Sequence, residues 1–111
     1  MPGPEADLLQ GTLDVLILKT LSWGPRHGYA IGHWLEESSD EAIRIEEGSL
    51  YPALYRMERK GWIEASWGMS ELGRRAKFYS LTRDGRARLR AEIAAWRRLS
   101  GAVGRILEVQ V

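Results

Sequence analysis

Apolar residues recur at helical spacing in two segments near the start of the chain. In residues 7–22 they lie three or four positions apart, and Trp23-Gly24-Pro25 predicts the end of this helix. A second helix is predicted at 27–37. Its expected core residues are Tyr29, Ile31, Trp34 and Leu35. The short segment 42–45, in which apolar and polar residues alternate, predicts an isolated edge strand.

A third helix is predicted at about 49–60, and its two faces differ. Its apolar stripe consists of Leu50, Leu54 and Met57. Ser49 is the expected N-cap, Pro52 would lie in the first turn, where its missing amide hydrogen has no helical acceptor, and Gly61 ends the helix. Away from the stripe lie Tyr51, Tyr55, Arg56 and Arg59. We expect this second face to contact a partner, for which a DNA groove is the leading candidate.

Two segments rich in aromatic and β-branched residues, 62–67 and 77–81, predict a β-hairpin. The loop between them, 68–76, contains glycine and ends in basic residues. This order of elements is that of a winged helix-turn-helix followed by a C-terminal helix. The predicted fold class is mainly α with a small β-hairpin wing (α+β), divided into a winged helix-turn-helix domain at 7–82 and a C-terminal dimerisation helix at 83–108.

The last helix, for which Thr82 is the expected cap, has an apolar stripe that a domain of this size can hardly cover by itself. The stripe consists of Leu89, Ile93, Trp96, Leu99, Val103 and Ile106. From Ile93 onward the spacing is close to that of a coiled-coil seam. We therefore predict that the same helix of a second copy, together with the N-terminal helix, covers the stripe. The alternative is that the helix folds back on its own domain.

The net charge of +1 for 111 residues conceals an uneven distribution. Residues 1–70 contain six basic and eleven acidic residues, a net charge of −5, whereas residues 71–98 contain nine basic and three acidic residues, a net charge of +6. The basic region favours a polyanionic partner, although charged runs are also common on solvated helix faces.

Several classes of protein are not indicated. The chain has no cysteine, which rules out disulfides and thiolate chemistry. No signal peptide or membrane span is apparent, so we expect a cytoplasmic protein. His27 and His33 lie six residues apart and would point to different faces of one helix. No phosphate loop or catalytic spacing stands out, and we expect no enzyme activity, no metal and no cofactor.

The motifs of the chain resemble those of PadR-type transcriptional regulators. The segments at 9–13 (Leu-Gln-Gly-Thr-Leu) and 25–31 are similar to the opening of that family, and 48–61 is similar to its recognition helix. The segment 73–82 resembles its wing, and 85–96 resembles its C-terminal helix. The short C-terminal helix suits the compact branch with a single such helix. The resemblance implies a homodimeric regulator, usually a repressor, that binds DNA and responds to a small molecule or another signal.

Candidate DNA-binding residues follow from the expected docking of a helix in the major groove, where side chains near its N-terminus reach the base edges. On the recognition helix they are Ser49, Tyr51, Pro52, Tyr55 and Arg56. Arg56 could bind a guanine or a phosphate, and either tyrosine could instead pack into the domain. On the wing the candidates are Arg74, Arg75 and Lys77, whose alternative is a solvated loop.

Dimer symmetry would place two recognition helices about one helical turn (~34 Å) apart and predicts an inverted-repeat operator. Trp96 could stack against a flat aromatic effector, although a plain interface tryptophan is favoured. Because winged helices also serve as protein-interaction modules that do not read DNA, that function is the alternative hypothesis.

Overall fold

The structure, a computed structural model, describes the backbone of residues 4–110 and the side chains of residues 12–110. Its helices are α1 (Pro4–Thr20), α2 (Gly28–Ser38), α3 (Glu47–Arg59) and α4 (Arg83–Leu107). Its strands are β1 (Arg26–His27), β2 (Ile63–Met69) and β3 (Arg75–Leu81). The 3₁₀ turn Leu21–Trp23 follows α1. In the predicted 9–13 motif, the side chains of residues 9–11 lie outside the described part.

The three strands form an antiparallel sheet in the order β1-β3-β2. The predicted fold class, mainly helical with a small β-hairpin wing, is thereby confirmed. The predicted edge strand at 42–45 is wrong, because the amides of Ala42 and Ile43 donate to the backbone carbonyl and side-chain oxygen of Ser39, at 3.0 and 2.9 Å. The third strand is β1 instead, in which His27 pairs with Phe78 of β3.

The apolar core of the described side chains lies between the first three helices and the sheet, and Leu89 of α4 completes it. Its fully buried large apolar side chains are Ile17, Leu18, Leu21, Ile31, Leu54, Met57 and Ile63. The predicted stripe of α3 is confirmed as buried, and so are Ile31 and Leu35 of α2, against which Trp34 is partly buried. The prediction for Tyr29 is wrong, because this residue is 74% exposed. Two helical positions before Ile31 correspond to about 200° of rotation, which turns Tyr29 away from the core.

Helix α3 begins earlier than predicted and ends where expected. Its N-cap is Glu46 rather than Ser49, since the amides of Ser49 and Leu50 both donate to the Glu46 carbonyl at 2.9 Å. Pro52 is therefore the sixth helical residue rather than a first-turn residue, and the carbonyl of Gly48 receives no amide hydrogen from it.

The end of α3 is a Schellman motif, as the predicted stop at Gly61 requires. The amide of Gly61 donates to the Glu58 carbonyl and that of Trp62 to the Met57 carbonyl, at 3.0 and 3.1 Å. Gly61 adopts a φ of +77°, which a residue with a side chain rarely accepts.

Thr82 caps α4, as predicted, and also joins it to the end of α3. The Thr82 hydroxyl accepts a hydrogen bond from the Gly85 amide at 3.0 Å and donates one to the Gly61 carbonyl at 2.6 Å. The first part of α4 packs on α1 and β3, where Leu89 is buried and Ile93 is partly buried. Beyond Ile93 the apolar side chains of the stripe are exposed. In the part of the chain that the structure describes, no helix is long and apolar enough to cross a membrane.

Candidate nucleic-acid interface

The outer face of α3 is open to solvent. Ser49, Tyr51, Pro52 and Tyr55 are all exposed, on the side of the helix opposite to Leu54 and the rest of the buried stripe. Arg59 extends this face by one turn, with its guanidinium carbon 5.8 Å from the centre of the Tyr55 ring. The outer face therefore presents two phenol rings and a cation, whereas the inner face fixes the helix to the core.

The ring of Tyr51 lies directly on the first residue of α2. A Cβ atom at Gly28 would meet the Tyr51 Cε1 and Oη atoms at 2.7 Å, a distance that real Cβ contacts do not show. Gly28 is therefore the residue that lets this ring approach the α2 backbone. Tyr51 is still exposed along its other side, so it both packs within the domain and faces solvent.

Arg56 binds a carboxylate of its own chain. Its Nη1 and Nη2 atoms each donate to an oxygen of Asp14 on α1, both at 2.7 Å, in a bidentate pair. The Arg56 side chain is 36% exposed and that of Asp14 is 16% exposed. The hydrogen bond to Asp14 raises the pKa of Arg56 above its usual value, so the arginine stays charged. This guanidinium links α1 to α3, which the sequence spacing did not indicate.

The wing is the hairpin of β2 and β3. Its turn is shorter than the predicted loop, since the Ser70 amide donates to the Arg74 carbonyl at 2.8 Å, and Gly73 has a φ of +74°. Arg74 and Arg75 lie exposed at the base of this turn. The guanidinium of Arg75 stacks over the Trp67 ring, 4.8 Å from its centre.

The side chain of Lys77 extends toward α3 and is only partly exposed to solvent. Its Nζ lies 3.4 Å from a carboxylate oxygen of Glu58 on α3, and both side chains are partly exposed. This pair connects the wing to the last turns of α3. Of the three predicted wing cations, Arg74 is the one that has no ion-pair or aromatic partner among the described side chains.

One face of the hairpin is buried at its base and exposed farther out. The register pairs Ile63 with Leu81 at the buried base, and Trp67 with Lys77 farther out. Trp67, which is 61% exposed, was not among the predicted site residues. The alternation of β2 contained the signal, because Trp67 lies four positions from the buried Ile63 and thus on the same face.

A cleft of about 550 Å³ separates the wing from the two helices. The wing supplies Trp67, Arg74, Arg75 and Lys77 to its lining, whereas α2 and α3 supply Tyr29 and Tyr51. The structure thus brings together the wing cations and one recognition-helix tyrosine. Tyr55 does not line this cleft and belongs to the outer face of α3.

The apolar stripe of α4 divides into two parts. Leu89 is buried in the core of its own chain, and Ile93 packs against that core, so these two residues have an intramolecular role. The exposed part consists of Trp96, Leu99, Val103 and Ile106. Leu107 and Val109 extend the exposed apolar surface.

The described side chains contain no group of three or more His, Asp or Glu residues placed to hold a metal ion. His27 has a local role, since its Nδ1 atom accepts a hydrogen bond from the Ala30 amide at 3.2 Å and caps α2. His33 lies 3.2 Å from Glu37 on the solvent side of the same helix.

Helices α2 and α3 with the adjacent hairpin define a winged helix-turn-helix protein. A sequence model of the PadR-like family of transcriptional regulators matches residues 17–91. The chain belongs to this family. The members of this family are transcriptional regulators rather than enzymes.

Solved structures of similar proteins agree with this assignment. A transcriptional regulator from Clostridium thermocellum is 27% identical, with a TM-score of 0.84 over 92% of this chain and 99% of its own. A PadR-like regulator from Bacillus cereus is 30% identical, with a TM-score of 0.81 over 94% of this chain and 99% of its own. A PadR family regulator from Eggerthella lenta is 34% identical, with a TM-score of 0.78 over 95% of this chain and 89% of its own.

Proposed function

We propose that this transcriptional regulator is a homodimeric repressor that binds an inverted-repeat operator, with α3 in the major groove and the wing against the phosphate backbone. The observation that carries this proposal is the outer face of α3, which is exposed and lies beside the basic wing. A helix held by a buried stripe on one side can enter a groove without losing its own packing.

Base readout is assigned to Ser49, Tyr51, Pro52 and Tyr55 on the outer face. The tyrosine rings suit contact with thymine methyl groups, and their hydroxyls suit donation to phosphate oxygens. The proposal gives Arg56 no base contact, because the bidentate pair with Asp14 holds its guanidinium against α1. Arg56 instead holds α3 at a fixed position on α1.

Phosphate contacts are assigned to the wing, above all to Arg74 and Arg75. The start of α3 is unsuited to this task, since Glu46 and Glu47 place two carboxylates there. Lys77 contributes less, because a phosphate would compete with Glu58 for its ammonium group. The carboxylates at the start of α3 and the cations of the wing therefore divide the work, with base readout on α3 and backbone binding on the wing.

Dimerisation is assigned to the exposed part of the α4 stripe, Trp96, Leu99, Val103 and Ile106, packed against α4 and α1 of a second copy. Exposed apolar residues at this spacing are typical of a helix that pairs with another helix. Release from DNA by a flat aromatic effector that stacks on Trp96 is part of the same proposal. Its support is the half-exposed indole on this surface.

Selection of bound fragments from random duplexes at moderate salt tests the central proposal. We expect one enriched inverted repeat whose half-sites are centred about one helical turn apart. Recovery of no preferred sequence would contradict sequence-specific repression and favour the alternative, a winged-helix module that binds protein. Repeating the selection with flat aromatic compounds tests the effector, which is expected to reduce recovery of the operator.

A further inference from the structure

We infer that the cleft between the wing and helices α2 and α3 seats the sugar–phosphate backbone of one DNA strand, with Tyr29 and Trp67 as its two aromatic walls. This inference rests on the proposed DNA binding and extends it to helix α2, where no contact has been assigned so far. It also gives a role to two exposed aromatic residues that neither the core nor base readout uses.

The two walls are large and exposed, and each lies beside a neighbouring side chain. Tyr29 is 74% exposed and lies nearly parallel to the His33 ring, with an interplanar angle of 7° and centres 6.0 Å apart. Trp67 lies under the guanidinium of Arg75. Because the Arg75 guanidinium already restricts the Trp67 ring, binding a strand against that wall costs less side-chain entropy.

The chemistry of the lining matches a strand of nucleic acid. Aromatic rings provide apolar surface for deoxyribose carbons, and the hydroxyl of Tyr29 and the indole N–H of Trp67 are donors for phosphate oxygens. The wing side of the cleft adds the cations Arg74, Arg75 and Lys77 against one carboxylate, Glu71. This excess of positive charge favours a polyanionic partner over an uncharged or a basic one.

The position of the cleft favours a continuous strand over a small anion. Tyr51 belongs both to the cleft lining and to the outer face of α3. A duplex whose major groove accepts α3 therefore continues into the cleft without a gap. Contacts made there reach sugar and phosphate, so they should add affinity for every sequence and leave the preference among sequences unchanged.

The test compares Tyr29→Ala and Trp67→Ala with the wild-type homodimer on the selected operator and on an unrelated duplex. Trp23→Ala is the matched control, because Trp23 is 60% exposed, as Trp67 is at 61%, but packs on Trp34 outside the cleft. We expect each cleft variant to bind both duplexes about tenfold more weakly, the loss typical of one hydrogen bond to a charged group. The control should bind as wild type, and thermal unfolding of all variants should show that they are folded.

Salt dependence and footprinting then identify the contact. The aromatic variants should keep the wild-type slope of log K against log salt, whereas Arg74→Gln should lower it. Hydroxyl-radical footprints should lose protection of the same few deoxyriboses in each half-site with Tyr29→Ala and with Trp67→Ala, and none with Trp23→Ala.

Three results would overturn the inference. Cleft variants that bind as wild type, while Arg74→Gln binds more weakly, would remove the cleft from the interface and leave the proposed function intact. A loss confined to the operator would assign the rings to base readout rather than to the backbone. A wild-type protein that binds no duplex would refute the proposed function and the inference together.

Discussion

At the scale of single residues, Gly28 and Tyr51 form one unit. The glycine is the first residue of α2, and its missing side chain is the space that the Tyr51 ring occupies. Its φ lies outside the left-handed region, so an alanine there strains no backbone torsion and disturbs mainly the ring. Gly28 therefore makes room for the Tyr51 ring, which lies on the proposed DNA-binding side, rather than forming a turn.

Gly28→Ala should weaken operator binding about as much as Tyr51→Ala, by roughly 1–2 kcal/mol, because the new methyl group displaces the ring. In the Tyr51→Ala background the same change should cost almost nothing. Binding measurements on the four proteins of this double-mutant cycle give the coupling directly. Additive losses from the two changes would show that Gly28 acts independently of Tyr51.

At the scale of elements, the bidentate Asp14–Arg56 pair joins α1 to α3. It therefore links a helix of the proposed dimer contact to the proposed recognition helix. We expect Asp14→Asn and Arg56→Gln each to lower the free energy of unfolding by about 1–2 kcal/mol, a figure that allows for partial solvent exposure. Because the pair positions α3, both variants should also bind the operator more weakly, and by similar amounts. Urea unfolding and titrations with the operator measure the two effects.

A difference between these variants in DNA binding would separate the two roles of Arg56. If Arg56 contacts a base, Arg56→Gln should bind the operator about 1–3 kcal/mol more weakly than Asp14→Asn does. That outcome would mean that the guanidinium leaves Asp14 on binding, and it would return Arg56 to the base-reading set.

The wing is the element for which salt dependence is the sharpest measurement. Arg74→Gln with Arg75→Gln should lower the slope of log K against log salt by about 0.9 for each phosphate that the wing no longer neutralises. The control is Arg97→Gln with Arg98→Gln, which removes the same charge from exposed positions on α4. Equal changes of slope in both double variants would indicate a general charge effect and contradict direct contact by the wing.

Local patterns were sufficient for the elements that satisfy their own hydrogen bonds. The four helices, the hairpin, the cap at Thr82 and the stop at Gly61 follow from periodicity and from residues with strong local preferences. The 42–45 segment shows the limit of such reasoning, since alternation cannot reveal which edge of a sheet is free. With two residues, β1 is too short to produce a pattern. It pairs with β3 because the chain passes that strand on the way into α2.

The site could be predicted less completely than the fold, because several of its properties depend on contacts between distant segments. Arg56 is separated from Asp14 by 42 positions, and nothing in the spacing of α3 indicates that partner. Tyr29 was misassigned for a different reason, since an aromatic residue near a helix start suggests a core position unless its angle to Ile31 is considered. Trp67 could have been found in the same way, from its spacing of four positions from Ile63 along β2.

At the scale of the whole molecule, the protein is elongated, with principal extents of 58 × 30 × 24 Å. A length of 25 residues makes α4 about 37 Å long at ~1.5 Å per residue, and its exposed apolar residues lie beyond the part that packs on the domain. This arrangement separates the two proposed surfaces, with DNA contacts on α3 and the wing and subunit contacts on α4. An effector at Trp96 could therefore act on DNA binding only through the relative placement of the two subunits.

Leu99→Asp should convert the dimer into folded monomers, because pairing would bury a carboxylate that has no partner on the apolar stripe. Gly101→Asp is the control, since it adds the same charge about 200° away around α4, on an exposed position. Sedimentation at micromolar concentration should report monomer for the first variant and dimer for the second, and circular dichroism should report a folded chain for both. Monomers must bind each half-site independently, so operator affinity should fall at least about a hundredfold, whereas a half-site duplex should bind both variants alike. A Leu99→Asp protein that sediments as wild type would place the subunit contact elsewhere, and the spacing of the two recognition helices would then no longer follow from α4.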